Sequence, residues 1–539
     1  MEIPFTIRAY LNRSFELHAQ RPFLGFVDEN MLTYAQVKDE INNIVHLLKQ
    51  HNIHKGDKVA ILSGNMPNWG ITYFAVVSMG AVAVPVLPDF TAEEFCNIME
   101  HSESKALFIS ELQMPKSEQL NKSKFNLIVK INDLSVLHSV ETIEVTDEED
   151  IVVEEDLAAI IYTSGTTGHS KGVMLTHKNL AFNTISGSKS QTVTPDDRFL
   201  SVLPLSHTYE NTLGLLLPMI SGASVYYLKK PPTPTLLVNA MGIVKPTLML
   251  TVPLIIEKIF RNKVLPALQS KFITRKLYRI SFFRKLLHKA AGKKLMKTFG
   301  GQLHFFGIGG AKLDGTVEKF LIDARFPYAI GYGLTETSPF LAGMTPEMVR
   351  WQSTGTAVYG VELKLHDINP ETGYGEIWAK GPNIMKGYYK NPQATAEVIT
   401  QDGWFKTGDL ATIDENGYVY IKGRIKNVII GANGENIFPE EIESLINNFD
   451  YVEESLVMEK EGRLVALIHF NIEALAEKFS DMKSEVADYV DVKIKEISTE
   501  LQMQINSRLK SFSAIKLIVP HPEPFEKTPT QKIKRYKYQ

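Results

Sequence analysis

The segment YTSGTTGHSKGVMLTHKNL, residues 162–180, gathers side chains suited to holding phosphate. Glycines let the backbone come close to phosphate oxygens. Backbone N–H groups and the Thr and Ser hydroxyls can donate to those oxygens, and Lys171 supplies positive charge. The spacing is not that of a Walker loop. The fifth residue after Gly165 is Ser170, and the Gly-Lys-Ser/Thr ending is absent. A surface turn can share this composition, but a long ordered string of Thr, Ser, Gly and Lys argues against one.

Four more segments carry reactive or ligand-binding residue types. LPLSHTYENT (203–212) holds His207. HFFGIGGAKL (304–313) holds Gly309, Gly310 and Ala311, without the GxGxxG spacing that a dinucleotide site needs. GYGLTETSP (331–339) holds Tyr332, Gly333, Thr335 and Glu336, the last a hard oxygen ligand for a hard cation. GWFKTGDLATIDENGYVYIKGRIKNVII (403–430) holds Asp409, Arg424 and Lys426. Singly, each has a plainer reading: a core or capping His, a core aromatic, solvated charges on turns. No Ser-His-Asp or Cys-His set is persuasive, so covalent catalysis by a side chain is not expected.

Together and in this order, the segments resemble the adenylate-forming superfamily of acyl-CoA synthetases, luciferases and peptide-synthetase adenylation domains. The resemblance spans Tyr162 to Arg535 and comes closest to the long-chain fatty acid acyl-CoA synthetases. It implies an ATP- and Mg²⁺-dependent acid-thiol ligase that makes an acyl adenylate and passes the acyl group to coenzyme A. By resemblance, Thr163, Ser164, Gly165, Thr166, Thr167, Gly168 and Lys171 hold phosphate. His207 lies beside the acyl carboxylate, and Gly309, Gly310 and Ala311 lie against adenine. Tyr332 stacks on adenine next to Gly333, and Thr335 binds the α-phosphate. Glu336 holds Mg²⁺, with Thr163 as a second ligand.

Further along, the resemblance makes Asp409 the acceptor of both ribose hydroxyls and Arg424 a ribose and phosphate contact. Lys426 falls at the hinge, and Gly431 and Gly434 lie in the loop that enters the site during thioester formation. FEKTPTQKIKRYK (525–537) matches the final motif, with Lys532 in the catalytic position. Gln531 stands where many members have Gly, which leaves Lys534 as the alternative.

These residues must be positioned by a large scaffold. At 539 residues the chain exceeds what one core organises. Apolar runs such as KVAILS (58–63), KALFIS (105–110), FNLIVKI (125–131), AAIIYT (158–163) and SVYYLKK (224–230) alternate with helical patterns. This predicts an α/β fold of helix-covered sheets. The apolar stretch 71–87 reads as a helix from Tyr73 to Met79 and a strand from Ala81 to Val86 rather than a membrane span. After about Lys426 the pattern changes: FPEEIESLINN (438–448) starts a helix, ESLVMEK and RLVALIHF read as strands, and Ala474 to Leu509 reads as one or two helices. The expectation is a large ATP- and acyl-binding domain over 1–425 and a small, mobile α+β domain over 426–539 that carries the catalytic lysine.

Composition narrows the setting. The net charge of −3 predicts no general affinity for nucleic acid. Cys96 is the only cysteine, so no internal disulfide can form, and the N-terminus lacks the features of a signal peptide. A cytoplasmic protein is expected. From Lys258 to Lys297 thirteen Lys and Arg residues occur without an acid, interleaved with Leu, Ile and Phe. That pattern fits either a solvated helical cover or reversible docking on the inner membrane surface. The alternative functions are transfer to an acyl carrier protein or another acceptor, an oxygen-using luciferase, and an inactive nucleotide-binding scaffold.

Overall fold

A computed structural model describes the chain except for residues 1–2, 146–149, 164–169, 432–434, 450, 473–474, 476–485, 529–531 and 539, and describes residues 486–493 by backbone alone. Two large sheets form its frame. One has eight strands, in the order Gly387–Tyr388, Lys171–Thr176, Leu157–Thr163, Val82–Val86, Lys58–Leu62, Ala106–Ile109, Leu127–Lys130 and Ser135–Ser139. The other has seven, in the order Tyr328–Ile330, Phe305–Ile308, Leu248–Thr251, Arg198–Ser201, Ser224–Tyr227, Pro22–Phe26 and Leu32–Thr33. Strands at the centre of each run parallel, as the alternating helix and strand patterns predict.

The helix Pro67–Ser78 explains the apolar stretch. Every residue from Trp69 to Val77 is buried, because the helix lies between Pro22–Phe26 of one sheet and Lys58–Leu62 and Val82–Val86 of the other. A helix apolar on all sides belongs in such a place. It begins six residues before the expected Tyr73, since Pro67 is well suited to a first turn whose N–H groups need no partner.

A four-stranded antiparallel sheet follows, in the order Glu362–His366, Gly375–Lys380, Phe405–Ile413 and Val419–Arg424. The C-terminal region has its own sheet, in which Val452–Lys460 pairs antiparallel with Arg463–Phe470, and that strand pairs parallel with Leu517–Pro520. Helices Pro439–Ile446 and Val486–Asn506 accompany it, and Ile442, Ile446, Val457, Ile468, Leu501 and Ile505 form its core. The long helical reading of Ala474 to Leu509 reduces to that second helix among the described residues. The fold is therefore α/β, with a large body of helix-covered sheets and a small α+β region.

Candidate active site

Most of the predicted site residues leave from the C-terminal ends of strands, where parallel α/β sheets place their ligands. Thr163 ends Leu157–Thr163, His207 follows Arg198–Ser201, Gly309 follows Phe305–Ile308, and Tyr332 follows Tyr328–Ile330. Leu157–Thr163 and Lys171–Thr176 pair antiparallel, with Thr163 opposite Lys171, so the phosphate-loop motif joins two hydrogen-bonded strands. Ser164, Gly165, Thr166, Thr167 and Gly168 lie outside the described residues, as does Gly434.

Asp409 and Arg424 face each other across the antiparallel pair Phe405–Ile413 and Val419–Arg424. That register puts Arg424 Nε 2.8 Å from Asp409 Oδ1. Tyr332 donates its hydroxyl to the other oxygen, Oδ2, at 2.7 Å. Burial pushes the Asp409 carboxyl up, against the opposing pull of Arg424, the Tyr332 hydroxyl and Lys532. The Arg424 guanidinium also donates to the Thr407 carbonyl at 3.2 Å.

Lys532 reaches the same group from the C-terminal end. Its segment doubles back: Thr528 N–H donates to the Lys532 carbonyl at 2.7 Å, and Lys534 N–H to the Glu526 carbonyl at 2.8 Å. Arg535 pins this arm to the small core through the Val457 carbonyl at 3.2 Å and an ion pair with Glu443. Lys532 keeps an exposed surface, yet neighbouring protein partly encloses it. That enclosure lowers its pKa, as does Arg424, while Asp409 and Glu336 act the other way. Lys534 instead pairs with Glu526 at 2.9 Å and approaches Glu94 at 4.0 Å. Of the two candidate lysines, Lys532 is the one whose charge acts on His207 and Asp409.

His207 sits where desolvation, then the Lys532 charge, lowers its pKa to about 4. The ring is therefore neutral at physiological pH. Its Nδ1 accepts the Tyr209 backbone N–H at 3.3 Å. The ring proton then resides on Nε2, leaving a donor available.

Thr335 is buried at the start of a tight turn, and Glu336 follows it. Tyr388 donates its hydroxyl to Glu336 Oε1 at 2.9 Å, and Lys171 Nζ lies 4.8 Å from the centre of the Tyr388 ring. Tyr388 was not among the predicted residues, and it links the phosphate-loop lysine to the predicted metal ligand. The helix His177–Ser190 supplies further support. Asn179 donates to the Pro382 and Ile384 carbonyls at 2.7 and 2.9 Å, and Asn183 pairs with the Phe340 backbone at 2.9 and 3.0 Å. These amides fix the two loops that carry Glu336 and Tyr388.

Two predicted glycines have neighbours inside the protein. A Cβ on Gly333 would lie 1.7 Å from the Pro339 carbonyl oxygen, so the turn itself demands glycine. A Cβ on Gly309 would come within 3.1 Å of the Tyr209 ring. Gly310 and Ala311 are exposed beyond it. Lys426 lies exposed in the turn Ile425–Asn427, and Gly431 donates its N–H to the Glu435 carbonyl at 2.8 Å.

The arrangement brings acid, aromatic and basic groups together with a lysine and a neutral imidazole, a set whose chemistry suits a nucleoside triphosphate. Among the described residues, no cluster of three or more His, Cys, Asp or Glu is suited to a metal ion. Glu336 would thus share a cation with phosphate oxygens rather than enclose it. Its second oxygen accepts no hydrogen bond among the described residues, which leaves it fit for that role.

The chain is 27% identical to fatty acyl-CoA synthetase A of Dictyostelium discoideum, over 94% of this chain and 84% of the relative. It is also 27% identical to the chloroplastic long-chain-fatty-acid–[acyl-carrier-protein] ligase AEE15 of Arabidopsis thaliana, over 94% of this chain and 80% of that one. The fold is shared with o-succinylbenzoate CoA synthetase (MenE) of Bacillus subtilis in complex with its acyl-adenylate intermediate. That match has a TM-score of 0.77 at 22% identity and covers 98% of this chain and 97% of that one. The same enzyme with ATP and magnesium ion matches with a TM-score of 0.75, at 22% identity over 98% of both chains. A family profile described as AMP-binding enzyme matches residues 11–389, and the chain belongs to that family.

Proposed function

We propose that this enzyme joins a long-chain fatty acid to the α-phosphate of ATP, releases pyrophosphate, and passes the acyl group to coenzyme A with release of AMP. The names of the relatives support the acid class and the thiol acceptor. The observation that carries the reading is the convergence of Lys532, Glu336, Asp409 and Arg424, whose charges act on one another, with the neutral His207 ring within reach of the Lys532 charge.

In this reading the acyl carboxylate attacks the α-phosphorus and the bond to pyrophosphate breaks. Negative charge gathers around that phosphorus, so catalysis is mainly positioning and fixed charge. Lys532 bridges the carboxylate and the α-phosphate. His207 orients the carboxylate through Nε2–H, Thr335 donates to the α-phosphate, and Lys171 meets the outer phosphates. Tyr332 covers the adenine, and Asp409 takes the ribose hydroxyls beside Arg424. Magnesium, held by Glu336 with Thr163, would neutralise charge on the departing pyrophosphate.

The coenzyme A thiolate then attacks the acyl carbonyl, and the bond to AMP breaks. For this step, residues 426–539 would act as a small domain turning about Lys426 against a large domain over 1–425, bringing the loop with Gly431 and Gly434 to the site. Because the substrate partitions into bilayers, the enzyme would work from the aqueous side of a membrane.

The test is a pyrophosphate-release assay over acids from acetate to palmitate, with coenzyme A, with a phosphopantetheinylated acyl carrier protein, or with neither. The strongest release is expected with long acids, and acyl transfer is expected with coenzyme A. No release with any fatty acid overturns the reading. Transfer to the carrier protein alone selects the alternative acceptor, which the Arabidopsis relative's name makes the closest rival.

A further inference from the structure

The helices Phe272–Tyr278 and Ser281–Thr298 pack together as a pair that is fastened on one face and bare on the other. His288 is buried between them, its Nδ1 3.0 Å from Asp323 Oδ2 and its Nε2 3.1 Å from the Tyr278 hydroxyl. One ring thus ties the longer helix both to its shorter partner and to the helix Gly315–Ala324. One turn on, Gly292 packs so closely on Ala324 that a Cβ would lie 2.6 Å from the alanine methyl. His288, Gly292 and Leu295 are the buried face, at the helical spacing of four and three residues.

The remaining surface is unusual in composition. Phe272, Ile273, Ile280 and Phe282 are 61, 70, 51 and 68% exposed, and Phe283 and Leu286 are exposed beside them. Scattered exposed apolar residues need no account, but a run of six large ones between Phe272 and Leu286 does. Between Lys271 and Lys297 the chain holds ten Lys and Arg residues and no acid. Among the described residues, none of those ten is in an ion pair. Lys276 lies over the Phe272 ring at 4.6 Å, so charge and apolar surface occupy the same spot. Among the described residues no helix is long and apolar enough to cross a membrane.

We propose that the exposed face of this helix pair docks the enzyme on a bilayer containing anionic lipid, with Phe272, Ile273 and Phe282 entering the headgroup boundary and the surrounding lysines and arginines meeting the headgroups. Charge selects the occupant. A basic, acid-free patch matches anionic headgroups, and bare aromatic and aliphatic side chains gain by leaving water, which a purely polyanionic partner would not offer them. The docking rests on the fatty-acid reading for its purpose, since the substrate resides in bilayers, but not for its binding. Because the buried face alone fastens the pair, its exposed residues can be altered without touching the core or the active site.

The experiment is co-sedimentation of the full chain with vesicles of phosphatidylcholine alone or mixed with phosphatidylglycerol, at low and high salt. The wild type is expected to pellet with the anionic vesicles at low salt and to be released by high salt. The double variant Phe272→Ser/Phe282→Ser should bind at least about 10-fold more weakly, as should Lys285→Glu/Lys289→Glu, since each basic residue near the surface contributes appreciably. Both pairs are exposed, and unchanged pyrophosphate release with a soluble short acid shows that the fold and the site are intact. Wild-type protein that stays in the supernatant with anionic vesicles at low salt overturns the proposal. Loss of binding in the lysine variant alone, with the phenylalanine variant binding like wild type, marks a general polyanion surface such as one for nucleic acid, and also overturns it. Vesicle binding without activation of any acid would sink the proposed function and leave this surface standing.

Discussion

The Tyr332 hydroxyl donates to Asp409 Oδ2 across 2.7 Å. The ring proposed to cover adenine is therefore tied to the acid proposed to take the ribose, and neither can shift alone. Tyr332→Phe keeps the ring and removes the tie. We expect the KM for ATP to rise by about 10-fold, the size of one lost bond to a charged acceptor, with a smaller change in kcat. Asp409→Ala should raise it further. Steady-state kinetics at varied ATP provides the check, and an unchanged KM in both variants would make the pair purely structural.

Lys532→Ala should slow adenylate formation by roughly 10²–10³-fold, by analogy with loss of one fixed donor to a developing charge. Thioester formation from a preformed acyl adenylate should be largely spared. Lys534→Ala should change adenylation little, because Lys534 is paired with Glu526. Rapid-quench measurement of each half-reaction separates these outcomes. Equal loss of both halves from Lys532→Ala would refute the assignment.

Tyr388→Phe removes the donor to Glu336 and keeps the ring beneath Lys171. The expected effect is a several-fold higher magnesium requirement with little change in the KM for the fatty acid. Glu336→Gln should raise that requirement more strongly, since a hard cation loses its carboxylate. A magnesium titration of pyrophosphate release decides between them. A magnesium dependence that neither variant alters would place the cation elsewhere.

Glu210 is buried three residues after His207 and accepts from Ser201 at 2.6 Å, and its other, buried oxygen has no partner among the described residues. Burial pushes its carboxyl from 4.5 up to about 8. An acid raised on folding takes up a proton between those two values, so its contribution to stability falls as pH rises through that window. Glu210→Gln removes this dependence. The variant should gain on the wild type as pH rises from 5 to 8, by at most about 1.4 kcal/mol per pH unit. Thermal melts at both pH values measure it, and a constant difference between the two proteins would show that Glu210 does not titrate in this window.

Lys426→Pro should leave adenylation nearly intact and impair transfer to coenzyme A, because proline fixes φ at about −65° where a turning segment must change it. Full turnover with coenzyme A in this variant would remove Lys426 from the hinge role.

The sequence made some of this visible and hid the rest for physical reasons. Phosphate, ribose and magnesium each call for particular side-chain types, so Lys171, Asp409, Arg424, Glu336 and Lys532 stand out in short strings. Asn179 and Asn183 act on backbone groups, and Asn183 meets the Phe340 backbone 157 positions away. Nothing in a local string marks such a partner. Tyr388 escaped notice because a lone Tyr beside Gly387 reads as an ordinary strand residue. The strands were legible from alternation and apolar runs. The start of the helix Pro67–Ser78 was not, because a helix buried on every side has no amphipathic edge to read.

That helix also bears on how the chain is made. Its two faces belong to different sheets, and the strand Pro22–Phe26 beside it pairs with Ser224–Tyr227, about two hundred residues later. A ribosome that has released the chain only through the strand Lys171–Thr176 holds a helix with one side still bare and an early strand whose later mate is unmade. The two sheets therefore cannot mature one after the other. The nascent chain must keep an apolar helix sheltered until the second sheet is synthesised, a span of roughly ten seconds or more at about 5–20 residues per second. The vulnerable period for this protein thus falls early in its life, well before its nucleotide site exists.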